Sequence, residues 1–383
     1  MASGFSHEEY AARCQRARSL MEDKRLDTLL VTDDANLYYF TGYTLGAEGS
    51  FPRPSVFILP LEHNPVLIVH DAYKTMASKV SWLEDVRGYS KLAEVPVEMV
   101  RTAFGEVGCT QGHVGAELGH EQHLAISHND FVRLRDALPQ VEFVDASDVL
   151  WGLRMVKSEA EIAAMAKACE ITDAVLKHCF ETVEVGLTQG QIVNLIRRAV
   201  ADSGADFGFA TSCFGPNNPW HPSEDLSADP VLQEGDLFWV DMGVVWNGYH
   251  TDYCRAAVPG KPSAEQVQVW EGVHRMAMAA EEAVRPGIRV SELARVQNKV
   301  ADMLDLDPTT CPFGRSGHGI GLHMTEPPYV NLCDNTILEP GMTITIEPGV
   351  MRNDGVYVYE DNLVVTDTGC TMLSHAPWEL RAI

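Results

Sequence analysis

The sequence predicts two domains of different class: an α/β domain over residues 1–153 and an α+β domain over residues 154–383, the latter built from two copies about an internal pseudo-twofold axis. Three observations lead there. A chain of 383 residues is longer than one hydrophobic core usually serves. Its first part alternates helical periodicity with short apolar runs closed by turn residues. Its second part repeats two helix openings and two strand openings at matching offsets.

In the first part, the runs 27–32, 55–60, 66–70 and 141–145 have strand length and composition. Near residues 153–157 the pattern changes. Ser158 and Glu161 there match a capping box, ahead of Ile162, Met165, Cys169, Thr172 and Leu176, an apolar stripe at long-helix spacing. The domain boundary falls at this change. Gly186 then stands six residues before Ile192, as Gly287 stands six before Leu293, and each pair opens a helix. The runs 232–243 and 338–349 match in step, with Asp241 or Glu347 closing the apolar stretch. Each copy then passes a glycine, Gly248 or Gly355, and returns to a second acid, Asp252 or Glu360. Val269, Val273, Met276 and Ala280 form the core face of a further helix.

Composition excludes several functions. The balance of 29 Lys+Arg against 54 Asp+Glu gives a net charge of −25, which repels phosphate backbones and anionic membranes, so neither nucleic acid nor a membrane is an expected partner. The N-terminal residues turn amphipathic at once and no 18-residue apolar span follows, which predicts a cytoplasmic protein. Nine cysteines without C-x-x-C pairs read as reduced, packed thiols, Cys213 and Cys254 included. There is no G-x-S-x-G or phosphate-loop motif, and the glycines around His318 open no dinucleotide-binding helix.

The four repeated acids point to metal. Asn247-Gly248 is a two-residue hairpin signal that pairs 246 with 249, which places Asp241 opposite Cys254 and diagonal to Asp252. Carboxylates on such apolar strands are costly unless neutralised. His318, between glycines that permit close backbone approach, adds an imidazole. Four carboxylates carry a charge that two divalent cations balance. Oxygen and nitrogen donors without thiolate suit manganese, cobalt, iron or zinc rather than a structural zinc site. A pair of such ions ionises water and polarises a carbonyl, so the chemistry implied is hydrolysis.

At these residues, Asp241-Met242-Gly243, Gly248-Tyr249-His250-Thr251-Asp252, Gly317-His318-Gly319-Ile320-Gly321, Ile346-Glu347-Pro348-Gly349 and Tyr359-Glu360-Asp361-Asn362, the chain resembles the pita-bread metallopeptidases: aminopeptidase P, prolidase and, more distantly, methionine aminopeptidase and creatinase. The resemblance covers nearly the whole chain. Residues 8–41 look like the opening of a creatinase-type N-terminal domain, and 157–176 like the first pita-bread helix. It implies that Asp241 holds one metal, His318 and Glu347 the other, and that Asp252 and Glu360 bridge them, with Glu347 relaying a proton to the leaving amine. Two ions are implied, manganese first, with cobalt, zinc or iron as alternatives. A homodimer is implied too. Creatinase does not keep this metal set, so full retention favours a metal-dependent enzyme.

The sequence departs from that family at two places. Peptidases of this type carry a histidine four residues before the metal histidine and another seven after it; here Gly314 and Thr325 stand there. Arg315, His323 and Thr325 become the substrate-side candidates, Arg315 either clamping a substrate carboxylate or pairing with Glu326. His221 stands near the family's proton-shuttling histidine and is assigned a catalytic role. His323 could equally be pocket wall, and Phe51 and Arg53 are the first domain's candidates for lining a pocket, with an ordinary surface turn as the equal alternative. The expected activity is cleavage of an Xaa-Pro dipeptide or short peptide. Rival readings are a hydrolase or lyase on a non-peptide osmolyte or N-substituted amino acid, and a non-catalytic binding module.

Overall fold

The computed structural model describes residues 4–44, 53–220 and 227–383, the Phe207 side chain excepted. His221 and Phe51 therefore lie outside the described residues. The chain divides into two compact units, Met1–Arg154 and Met155–Ile383.

The first unit runs α1 (His7–Lys24), β1 (Thr28–Val31), α2 (Asp34–Thr41), β2 (Val56–Pro60), β3 (Val66–His70), α3 (Asp71–Val80), β4 (Asp85–Tyr89), α4 (Val97–Glu106), β5 (Gly112–Ala116), α5 (His128–Ala137), β6 (Val141–Asp145) and α6 (Ser147–Arg154). All four runs expected as strands are strands. They lie in one six-stranded mixed sheet of order β4-β3-β2-β1-β5-β6. Leu30, Ile58, Ile68 and Val114 pack its core with Val100 and Phe104 of α4. Beside β5 the buried carboxylate of Glu117 accepts from the Thr32 amide and hydroxyl and from Asn36 Nδ2.

The second unit runs α7 (Glu159–Thr182), α8 (Gln189–Ser203), β7 (Phe207–Phe214), β8 (Phe238–Trp246), β9 (Tyr249–His250), β10 (Tyr253–Val258), α9 (Ala264–Ala283) and α10 (Val290–Met303). Then come β11 (His318–Gly319), β12 (Glu326–Tyr329), β13 (Thr343–Ile346), β14 (Gly349–Arg352), β15 (Gly355–Val358), β16 (Asp361–Val365), β17 (Cys370–Met372) and β18 (Arg381–Ala382). The Ser158/Glu161 capping box forms, and Met165, Cys169, Thr172 and Leu176 are buried along α7. The expected core face of α9 is buried as well.

The internal repeat is visible in the backbone. Gly186 N donates to Leu232 O and Leu232 N to Leu187 O; Gly287 N donates to Leu338 O and Leu338 N to Ile288 O, each bond 2.9 Å. The same turn-to-strand stitch is made twice, with Leu232 and Leu338 both fully buried beneath it. Two sheets result, β18-β10-β8-β7 with β9 on β8, and β12-β11-β13-β16-β17, beside the β14-β15 hairpin. Trp239, Trp270, Ile344, Ile346 and Tyr357 fill one core that joins both copies. Among the described residues no helix is long and apolar enough to cross a membrane.

Candidate metal centre

The first pair of acids is set by the β8–β9 turn. Asn247 and Gly248 take left-handed φ values of 50° and 78°, the two-residue hairpin geometry expected of Asn-Gly, and Trp246 pairs with Tyr249. The register carries through to Asp241 opposite Cys254, the predicted pairing. Between β9 and β10 the chain bends inward at Thr251-Asp252. A Cβ on Gly243 would lie 1.7 Å from Thr251 O, so only glycine lets that backbone come close enough to bring Asp252 round to Asp241.

The second pair is placed by ladder continuity. Ile346 faces Asp361 and Gly349 faces Val358, so Glu347 and Glu360 occupy facing positions between the β13–β16 and β14–β15 ladders. His318 completes the group. Gly319 lies so near β12 that a Cβ would meet Pro327 O at 2.1 Å, and Gly317 so near β13 that one would meet Thr345 O at 2.3 Å. His318 Nδ1 lies 2.9 Å from Gly319 O, an acceptor only, so Nδ1 carries the proton and Nε2 presents its lone pair. The His250 amide donates to Gly321 O at 2.8 Å, tying the first hairpin to the histidine loop.

All five side chains meet. His318 Nε2 stands 3.5 Å from Asp252 Oδ2, 3.6 Å from Glu360 Oε1 and 4.0 Å from Glu347 Oε2. Ligand atoms of Asp252, His318 and Glu360 fall within 4.8 Å of one another. Asp241 joins through Asp252, against which its carboxyl lies. Burial raises the pKa of Asp241, Asp252 and Glu360 well above the carboxylate range, reinforced by neighbouring acids; it raises that of Glu347 to about 7 and lowers that of His318 to about 4.

The donor set passes a test of fit to metal. Asp241 Oδ1, Asp252 Oδ1, His318 Nε2, Glu347 Oε2 and Glu360 Oε1 are each sealed from solvent without a hydrogen-bond partner among the described residues. Five orphaned acceptors in one place are expensive in a protein interior and are what cations would satisfy. Asp252, Glu347 and Glu360 are buried, and His318 is fully so.

Beside the cluster, the Arg315 guanidinium offers Nη2 to Thr325 Oγ1 at 3.5 Å and stands 6.0 Å over the Tyr329 ring. Its positive charge favours the ionised forms of Asp241, Asp252 and Glu347. Its Nε is buried with no partner among the described residues. Glu326 is engaged elsewhere, 3.6 Å from Lys157 Nζ and accepting from the His323 amide at 2.9 Å. His323 is half-buried. Gly314 has open space where a side chain would stand. Cys213 and Cys254 are buried thiols, Cys213 pushed up to about 12 and Cys254 well above its ordinary value by burial, which disfavours the thiolate in both.

Two residues with no individual role in the sequence reading touch the ligand backbones. Arg255 donates to Glu360 O, and Asn362 bonds the peptide groups of Asp252. A charge inside the apolar run 253–258 is the signal that marks Arg255; Asn362 carries none beyond its place in the motif.

Residues 163–367 match the model of metallopeptidase family M24, and residues 13–156 that of the creatinase/prolidase N-terminal domain. An Xaa-Pro dipeptidase of Pyrococcus furiosus is 26% identical over 96% of this chain and 99% of its own. An ectoine hydrolase of Halomonas elongata is 26% identical over 98% of each. The crystal structure of a prolidase from Thermococcus sibiricus superimposes with a TM-score of 0.85 at 25% identity, covering 98% of this chain and 99% of that one. The pita-bread fold, the creatinase-type first domain and the metallohydrolase class are those expected from the motifs, and the chain belongs to metallopeptidase family M24.

Proposed function

We propose that the protein is a dinuclear metal-dependent hydrolase that cleaves the amide C–N bond of an Xaa-Pro dipeptide or short peptide. The observation that carries this is the set of five sealed, partnerless acceptor atoms on Asp241, Asp252, His318, Glu347 and Glu360, drawn from both halves of the repeat. Asp252 and Glu360 would be shared between two divalent ions, Asp241 would hold one of them, and His318 and Glu347 the other. When bound, the ions supply a water ionised near neutral pH and a polarised scissile carbonyl.

The chain's own groups do the rest. Glu347 takes the proton of the attacking water as the C–O bond forms and returns it to the nitrogen as the C–N bond breaks. Arg315, with Thr325 beside it, holds the substrate carboxylate in place of the family's histidines. His221, in the segment 221–226 outside the described residues, keeps its assignment as a proton shuttle, and His323 its place as a substrate contact. Oxygen and nitrogen donors support manganese. Nine free cysteines, Cys333 exposed among them, support a reducing cytoplasm. A homodimer is proposed by likeness to the family and is checked by size-exclusion chromatography with light scattering.

Purified protein should lose Xaa-Pro hydrolysis on chelation and regain it with Mn²⁺; activity indifferent to chelators would reject the mechanism. A second reading keeps the metals and replaces the peptide with a non-peptide osmolyte or N-substituted amino acid. The substitution of both family histidines by Gly314 and Thr325 favours it, as does full-length similarity to a protein named for ectoine hydrolysis. A substrate panel decides, since robust turnover of Xaa-Pro peptides with none of such compounds excludes it.

A further inference from the structure

We infer that Arg255 and Asn362 form a crossed clamp that fixes the separation of Asp252 and Glu360: each clamp residue is borne beside one of these acids and grips the backbone of the other. The inference rests on the reading of the five-residue cluster as a metal centre.

Arg255 stands three residues after Asp252, on β10, and is 3% exposed. Its Nη1 donates to Glu360 O at 2.7 Å and to Cys254 O at 2.8 Å. Its Nη2 donates to Asp361 Oδ1 at 2.6 Å and Ala376 O at 2.9 Å, and its Nε to Ala376 O and Pro377 O. The guanidinium lies 4.5 Å over the Tyr359 ring. Asp361, the next residue after Glu360, is itself held by the Ser374 and Tyr359 hydroxyls. The cation is thus fixed from both sides, and through it the Glu360 backbone is fixed to the strand that carries Asp252.

Asn362 makes the reverse connection. It stands two residues after Glu360, on β16, and is fully buried. Its Nδ2 donates to Asp252 O while its Oδ1 accepts from Asp252 N at 3.2 Å, so one side chain satisfies both peptide groups of that residue. Asp252 needs such a partner because the bend that brings it inward takes it out of the ladder between β9 and β10. The two grips bridge 105 and 110 residues of chain, one in each direction between the two copies of the repeat.

Geometry gives the pairing its purpose. Two carboxylates that share ions must keep a fixed spacing, yet these two belong to separate hairpins and repel each other when ionised. The shared core holds the two copies together but touches neither peptide group of Asp252 nor the carbonyl of Glu360 with a directional bond; the clamp supplies those bonds. The crossed bonds couple the hairpins at the backbone of the ligands themselves. Arg255 and Asn362 are positioning residues, since neither offers an atom to the cluster.

The test uses the full chain loaded with Mn²⁺. Arg255→Lys keeps the charge but cannot reach Glu360 O, Asp361 and the 376–377 carbonyls together; Asn362→Ser removes both grips on Asp252. Each should weaken Mn²⁺ binding 10- to 100-fold by titration calorimetry and alter the visible spectrum of the Co²⁺-loaded protein. Trp270→Phe, which deletes the bond from Trp270 Nε1 to Trp378 O in the same core, should leave both readouts unchanged. Folded Arg255→Lys and Asn362→Ser proteins with wild-type affinity and spectrum would overturn the clamp, as would an equal loss in Trp270→Phe. If Arg255→Lys does not fold, Asn362→Ser decides. Because binding is read without substrate, wild-type protein that takes up two Mn²⁺ yet spares Xaa-Pro peptides refutes the substrate and leaves the clamp standing on these variants. Wild-type protein that binds no Mn²⁺ overturns the metal centre and the clamp together.

Discussion

Removing the metals should make the stability of the fold fall as the pH rises, a trend that the metal-bound protein lacks. In the metal-free fold, Glu347 holds its proton to about 7, against 4.5 in a free side chain, because burial penalises its charge; Asp241, Asp252 and Glu360 are pushed the same way by burial first and by a neighbouring acid second, Asp252 for both Asp241 and Glu360, and Glu347 for Asp252. Above pH 4.5 the unfolded chain has released protons that the native chain keeps, so raising the pH destabilises the metal-free fold. His318 opposes this at lower pH. Its value is lowered from 6.5 to about 4 by burial, so between those limits raising the pH stabilises the fold, and above 6.5 that contribution is complete. The clean window is pH 6.5 to 8. Each carboxyl still protonated there costs about 1.4 kcal/mol per pH unit, or about 2 kcal/mol over the window. One such proton lowers the melting temperature by roughly 4–8 °C for a unit of this size. With metal bound, the acids are ionised in both states and the trend vanishes. Glu117 in the first unit, held at about 7 by burial, contributes equally with and without metal and cancels in the comparison. Calorimetric melts of chelated and Mn²⁺-loaded protein at pH 6.5, 7.25 and 8 read the effect directly; parallel trends in the two forms would refute the reasoning.

Other substitutions separate the parts of the site. Gly243→Ala should cost 3 kcal/mol or more, on the order of a severe core clash, and abolish activity, because its Cβ would collide with Thr251 O and push Asp252 out of the cluster; chemical denaturation and a turnover assay check this. Arg315→Gln should raise KM at least tenfold, a loss of about 1.4 kcal/mol or more, for substrates with a free carboxylate and spare their amides, with Arg315→Lys restoring little because it cannot form the two-pronged bond; equal effects on both substrates would remove its assignment. Glu347→Gln should retain the fold but lose turnover by two orders of magnitude or more, about 3 kcal/mol, read as kcat at saturating Mn²⁺.

Much of the site could be read from residue types because its physics is local. Acids closing runs as apolar as Leu237-Phe238-Trp239-Val240 stand out as unaffordable without cations, and Asn247-Gly248 sets a register from which Asp241 falls opposite Cys254. Glycines at 317 and 319 announce a backbone approach that the structure makes. What escaped reading depends on contacts far apart in the chain. Strand β7 pairs with β8 from Phe238 to Val245, but its sequence Phe-Gly-Phe-Ala-Thr-Ser-Cys-Phe mixes small, polar and aromatic residues without alternation. Arg255 is a charge in an apolar run, and only the return of the chain at 360–361 and 376–377 supplies the acceptors that permit its burial. Glu326 offered itself as a partner for Arg315, yet Lys157, far away in sequence, takes it.

The most direct measurement is the metal content of the purified chain and of Asp252→Asn by elemental analysis after equilibration with limiting Mn²⁺. Two ions per wild-type chain and fewer than one in the variant are expected, since Asp252 is the acid that both ions would share. A wild-type chain without transition ions, or a variant that keeps the full complement, would contradict the gathering of these five side chains around a pair of cations.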